Sequence, residues 1–178
     1  MRAFLSLFPD PDVAMEIDRW SGQCWPGIRR RVPVQNLHVT VAFLGDIDHN
    51  TELSLIENLA CVNSSASVQM TFDKVGYWPQ PTILWLGSAT VPVAIQLLAD
   101  RCRTVANRVG IRVSAKRFEP HITLSRNPGT PPQAPLIEPS FAACFDSLHL
   151  CESFLDKGGA RYAVRRSWAL SATGNGDQ

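Results

Sequence analysis

The chain has 178 residues, of which 45% are hydrophobic and 19% charged, with a formal net charge of +1. That length suits one domain, the balance excludes a disordered chain, and no global field draws the protein to nucleic acid or membrane. Of 17 basic residues only Lys74, Lys116 and Lys157 are lysine. Guanidinium is the better fork for phosphate oxygens, although such usage first reflects genome composition.

Residues 3–8 predict a short strand. Pro9-Asp10-Pro11-Asp12 ends it and caps a helix over residues 11–21, with Val13, Ile17 and Trp20 on its apolar face. The apolar run after Met1-Arg2 is too short for a signal peptide. No stretch approaches the roughly 18 apolar residues of a membrane span, so a soluble, cytoplasmic protein is expected. Residues 22–27 predict a loop, and Arg29, Arg30 and Arg31 lead to Val32-Pro33. A strand follows over 38–44, stopped by Gly45-Asp46. Leu53, Ile56, Leu59 and Ala60 predict a second helix, then residues 68–75 and 82–86 two strands joined at Trp78-Pro79-Gln80-Pro81.

Val93, Leu97, Ala99, Val105 and Val109 predict a helix over 91–109, ended by Gly110. Residues 111–114 read as extended, and Glu119-Pro120 leads into a strand over 121–126. The proline-rich stretch 127–139 reads as an exposed loop bordering a site. Strands over 141–154 and 162–170, separated by a Gly158-Gly159 turn, close the chain before a frayed tail at 174–178. Cys24, Cys61, Cys102, Cys144 and Cys151 are odd in number and lack a C-x-x-C pair, so they predict reduced thiols in core or strand positions.

The two halves repeat. Residues 2–44 and 82–126 each run strand, helix, connecting segment with basic residues, and a strand opening His-x-Thr; the two histidines lie 83 residues apart. Such a chain predicts an α+β fold of two pseudo-symmetric, intertwined lobes, each with an antiparallel sheet and helices, within one domain spanning 1–178. The cleft between the lobes holds the site.

Two of the four histidines head nearly identical strands, His38-Val39-Thr40-Val41 and His121-Ile122-Thr123-Leu124. Strand side chains alternate faces. His38, Thr40 and Ala42 therefore share one face and Val39, Val41 and Phe43 the other; His121, Thr123 and Ser125 oppose Ile122 and Leu124. A pseudo-two-fold axis brings the two polar faces across the cleft. Two imidazoles near neutrality can divide acid and base work, and threonine hydroxyls can hold non-bridging phosphate oxygens. One His-x-Thr is commonplace among strands; two in a repeated element order point to function.

The segments His38-Val-Thr-Val-Ala-Phe-Leu-Gly45 and Phe118-Glu-Pro-His121-Ile-Thr-Leu-Ser-Arg126 resemble the paired signatures of the 2H phosphoesterases. More narrowly, the chain resembles the RNA 2′,3′-cyclic phosphodiesterases historically called 2′-5′ RNA ligases. Supporting stretches are residues 2–8, Val32-Pro33, Asn36-Leu37, Trp85, residues 148–153, Gly158-Gly159 and Tyr162. The resemblance implies a bilobal fold and hydrolysis of a 2′,3′-cyclic phosphate to a 2′-phosphate. It makes His38 the proton donor to the leaving 3′ oxygen and His121 the proton acceptor from water. Thr40, Thr123 and Arg126 bind substrate, although strict alternation places Arg126 on the Ile122 face. Arg31 stands where the family often has tryptophan, and Val34 replaces a frequent second proline.

No metal and no cofactor is expected. The expected substrates are RNA ends or small cyclic nucleotides, and the expected state is a monomer without membrane association. His49 reads as a solvated loop residue rather than a ligand, and His149 as a structural residue on the polar face of a strand. Arg29, Arg30 and Arg31, with Trp20 and Trp25, form either a basic stacking lip for RNA or a solvated loop over core tryptophans. Two alternatives stay open: 2′-5′ oligonucleotide cleavage or ligation at the same site, and a non-catalytic RNA-binding module. Two titratable groups, which binding alone does not require, speak against the second.

Overall fold

The computed structural model describes residues 1–114, 116–156 and 159–171. Along them run β1 (Arg2–Leu7), α1 (Pro11–Cys24), β2 (Val39–Asp46), α2 (His49–Leu59), β3 (Val68–Phe72), β4 (Lys74–Trp78) and β5 (Ile83–Gly87). Then follow α3 (Val93–Arg108), β6 (His121–Arg126), β7 (Phe141–Phe145), β8 (Ser147–Asp156) and β9 (Gly159–Ala169). Gly158 of the expected closing turn and the 174–178 tail lie outside the described residues.

The fold is mixed α+β with antiparallel strands, as the sequence predicts. The sheets do not stay apart, however. One seven-stranded sheet runs in the order β4-β5-β6-β2-β1-β8-β9, and β3-β7 form a separate pair. The halves β4-β5-β6 and β2-β1-β8-β9 meet where β2 pairs with β6 through Val39 and Ile122. The repeated strands β5-β6 and β2-β1 thus occupy the centre of the sheet with their His-x-Thr strands adjacent. Helix α3, from the second copy, packs on β2 of the first.

Two expected strands are each broken in two. Residues 68–75 split at Asp73, whose N–H donates to Gly87 O (3.0 Å) and whose Oδ1 accepts from Ala89 N (2.7 Å). Here the chain leaves the small sheet for the large one. Residues 141–154 split likewise at Asp146, whose carbonyl accepts from Leu170 N (2.7 Å). Neither break carries the glycine or proline that usually marks one, so the runs read as continuous. Residues 111–114 form no strand.

Helix α1 begins with Pro11, where the missing N–H is not needed, and Asp12 sits at the positive end of its dipole. It runs to Cys24 rather than residue 21, burying Ala14, Ile17, Trp20, Ser21 and Cys24. Helix α2 starts earlier than expected, because Asp48 Oδ1 caps Thr51 N at 2.7 Å. Its buried stripe is Glu52, Leu55 and Leu59, with Leu53 exposed. In α3 the stripe is Ile95, Leu98, Ala99, Cys102, Val105 and Ala106, at three- and four-residue spacing. Val93 and Leu97, assigned to that face from sequence, are 72% and 64% exposed. Ala99 and Val105 lie on the stripe as expected, but Ile95, Leu98, Cys102 and Ala106 complete it in place of Val93 and Leu97. No helix among the described residues is long and apolar enough to cross a membrane. None of the five cysteines is in a disulfide; Cys61 and Cys144 are exposed and the others buried.

Candidate active site

Val39 and Ile122, the pair that joins the half-sheets, are both 0% exposed. Their neighbours must therefore project to the opposite face. Antiparallel register sets His38 across from Thr123 and Thr40 across from His121, on strands whose facing side chains stand about 5 Å apart. Four polar groups from two distant sequence segments thus surround a single cross-strand pair.

His38 Nδ1 lies 2.7 Å from Asn36 O and His121 Nδ1 lies 2.8 Å from Glu119 O. A carbonyl only accepts, so each ring donates from Nδ1 to the carbonyl two residues upstream. Nε2 is left as the reacting nitrogen in both copies. His38 Nε2 is 3.0 Å from Thr40 Oγ1. The turn that supplies the Asn36 carbonyl, Val34–Asn36, is itself tied down: buried Asn36 Nδ2 donates to Ala160 O of β9 at 2.7 Å.

The rings have different surroundings. His38 packs among Phe4, Phe8 and Tyr162, with ring centroids at 5.1, 5.8 and 5.2 Å. Burial there pushes its pKa down to about 4, against the Asn36 hydrogen bond and with the positive Arg126 and His121 assisting. His121 is half-buried, edge-on to Trp78 at 4.6 Å and to Trp85 at 6.2 Å. Burial lowers its pKa too, opposed by the Glu119 carbonyl and charge and assisted by Arg126.

Beyond the threonines both strands are irregular. Thr123 pairs with Trp85 and Ser125 with Leu84, so Leu124 is an extra residue in β6. Leu124 and Ser125 are consequently both buried, and exposed Arg126 returns to the Thr123 face. Its field on both imidazoles agrees with that placement. In β2, Thr40 pairs with Ser6 and Ala42 with Leu5, which makes Val41 the extra residue. Ala42, expected beside His38, is buried, and Phe43, 66% exposed, takes its place on the His38 face. The bulges answer each other across the repeat, making Phe43 the counterpart of Arg126. Alternation without a bulge hid both residues, and no glycine marks either site.

The remaining candidates lie apart. His49 opens α2, its side chain 77% exposed and 3.7 Å from Glu52. His149 Nδ1 is 2.9 Å from Ser167 Oγ, and its ring meets Phe8, which also meets His38. Trp20 is buried and Trp25 half-buried, and their indole N–H groups hold the proline-rich loop through Ile137 O (2.8 Å) and Gln133 O (3.0 Å). Arg31 pairs with Asp18 at 2.8 Å and Arg29 lies against Gly129. No group of three or more His, Cys, Asp or Glu among the described residues is disposed to hold a metal. Sequence reasoning also missed the aromatic walls. Their members sit on β1 and just after it, on β4, β5 and β9, whose approach to the histidines depends on sheet order.

A family model described as LigT like Phosphoesterase matches residues 7–85, which include the first His-x-Thr. A curated RNA 2′,3′-cyclic phosphodiesterase of Escherichia coli (strain K12) is 29% identical over 171 residues, 96% of this chain and 97% of that protein. One of Aquifex aeolicus is 27% identical over 71% of this chain and 70% of its own. Among solved structures, E. coli LigT complexed with 3′-AMP superposes with a TM-score of 0.85 at 29% identity, over 96% of this chain and 98% of that one. A Thermus thermophilus structure at 22% identity, over 97% of this chain and 100% of that one, shares the fold with a TM-score of 0.82.

Proposed function

We propose that the chain is a LigT-like phosphoesterase of the 2H superfamily, and that it hydrolyses the 2′,3′-cyclic phosphate of RNA ends or nucleotides to a 2′-phosphate, without metal. The observation that carries the reading is the quartet of His38, Thr40, His121 and Thr123 around one cross-strand pair, with both histidines tautomer-fixed. His38 gives a proton to the departing 3′ oxygen while His121 takes one from water. Thr40 and Thr123 hold the non-bridging oxygens, and Arg126 balances their charge. Phe43 offers the terminal base an exposed ring to stack on. Each E. coli and Aquifex relative carries the name of this reaction, which supports the substrate assignment.

Proton inventory decides the pH dependence. The reacting enzyme holds one proton on the histidine pair. In the free protein, burial leaves His38 with a pKa of about 4 and His121 below its usual 6.5. The free protein therefore favours His121 as the ring that protonates first. His38 becomes the donor through proton uptake with the anionic substrate, which raises both rings. Because kcat/KM reports the free enzyme, it peaks on the acid side of pH 6.5 and falls about tenfold per unit above neutrality. The kcat profile, set by the bound state, lies at higher pH. Both limbs belong to the coupled pair.

The experiment measures both profiles on 2′,3′-cyclic AMP, a cyclic-phosphate-ended RNA and a 2′-5′ dinucleotide. Cyclic substrates turned over ahead of the dinucleotide, with that displacement, support the reading. A preferred dinucleotide, or kcat/KM flat from pH 6 to 8, contradicts it.

A further inference from the structure

Three non-glycine residues among those described have positive φ: Arg30 at 48°, Thr82 at 60° and Asn127 at 61°. All three meet at the end of β6. Arg126 N donates to Arg30 O at 3.1 Å, and Asn127 N donates to Thr82 O at 2.7 Å. Left-handed backbone without glycine persists only where surrounding structure imposes it, and such strain gathers at functional sites.

The zipper that imposes it is specific. Arg31 bridges Ser125, buried Ser125 Oγ donates to Arg29 O at 2.6 Å, and Val32 N donates to Leu124 O at 2.9 Å. In that register Arg30 stands directly opposite Arg126. Like charges directly opposed on paired strands are destabilising, and neither Arg30 nor Arg126 has a carboxylate partner among the described residues. Arg31 is half-buried and paired with Asp18, and the Arg29 stem lies beside Gly129; Arg30, like Arg29, is exposed. Two exposed arginines at opposed backbone positions, one of them in a strained conformation, form a cationic pair that an anion completes.

The proposed function assigns Arg126 to the reacting phosphate, which leaves Arg30 for the next anion along the chain of the substrate. We propose that Arg30 binds the phosphate on O5′ of the terminal nucleoside, a diester in RNA and a monoester in a nucleotide. This rests on the cyclic phosphodiesterase reading and adds to it a preference for substrates that continue 5′ of the reacting ribose.

The test compares three substrates: adenosine 2′,3′-cyclic phosphate, its 5′-phosphorylated form, and a trinucleotide with a cyclic phosphate end. Arg30→Gly removes the guanidinium and accepts the left-handed φ without strain, so misfolding does not confound it. The wild type should favour the two 5′-phosphorylated substrates in kcat/KM. Arg30→Gly should cut that preference by about three- to tenfold and reduce the salt dependence of the trinucleotide by roughly one phosphate contact, with Tm unchanged or raised. Arg30→Lys should keep part of the preference. A wild type indifferent to the 5′ phosphate overturns the proposal. So does a preference intact in Arg30→Gly, or an equal loss on all three substrates. If the wild type turns over none of them, the catalytic reading fails. Calorimetric affinities for adenosine 2′-phosphate and adenosine 2′,5′-bisphosphate then decide the role of Arg30 by the same comparison.

Discussion

His38→Ala and His121→Ala should each lower kcat on 2′,3′-cyclic AMP by about 10²- to 10⁴-fold, the range for a lost general acid or base. Thr40→Ala and Thr123→Ala should cost less. The histidine losses should not add in the double variant, because the rings act on one proton inventory. A substrate with sulfur at the 3′ bridging position separates the roles, since a thiolate leaves without a proton. On it His38→Ala should recover much of its loss and His121→Ala should stay impaired. Rescue of His121→Ala alone reverses the donor and acceptor, the direction that the lower pKa of buried His38 favours in the free protein. Wild-type rates in either variant would remove the pair from the mechanism.

Gly76→Ala should be the most damaging single methyl group near the site. A Cβ at Gly76 falls 2.0 Å from Trp85 Cζ2, and one at Gly87 falls 2.8 Å from Cζ3. The Trp85 ring therefore lies in space that two glycines leave open on β4 and β5. It is 5% exposed and packs against Trp78 at 5.1 Å, which in turn meets His121. A methyl group there forces the indole out of a packed site, an overpacking cost of roughly 1–3 kcal/mol. For a chain of this size that lowers Tm by roughly 2–12 °C. Displacing Trp85 unseats Trp78 and so frees His121, and kcat should fall with Tm. Gly27, with nothing within 4 Å of an added Cβ, is the control: Gly27→Ala should leave both unchanged. Equal Tm for the two variants would mean that the Trp85 packing is not tight.

Particular residues explain what was legible beforehand. The His-x-Thr strands could be read because residue types repeat at a period of two, and the repeat of strand, helix and strand announced their pairing. Arg126 and Phe43 could not be placed by that period, because one extra residue ahead of each, Leu124 and Val41, shifts it by half a repeat. The breaks at Asp73 and Asp146 were hidden because the change of sheet is stabilised by hydrogen bonds to distant backbone at Gly87 and Leu170. Trp20 and Trp25 could be seen as aromatic, yet their partners lie more than 100 residues away in the proline-rich loop. The strain at Arg30 likewise depends on a pairing with β6 that no local signal encodes.

In the proposed mechanism two histidines open a cyclic phosphate toward the 2′ product with no metal. The decisive experiment is phosphorus NMR of 2′,3′-cyclic AMP incubated with the protein in excess EDTA. The cyclic resonance should disappear at the same rate as without chelator, with adenosine 2′-phosphate as the sole product and no turnover by the His38→Ala/His121→Ala double variant. Adenosine 3′-phosphate as product, or a reaction that EDTA stops and a divalent metal restores, would contradict that mechanism.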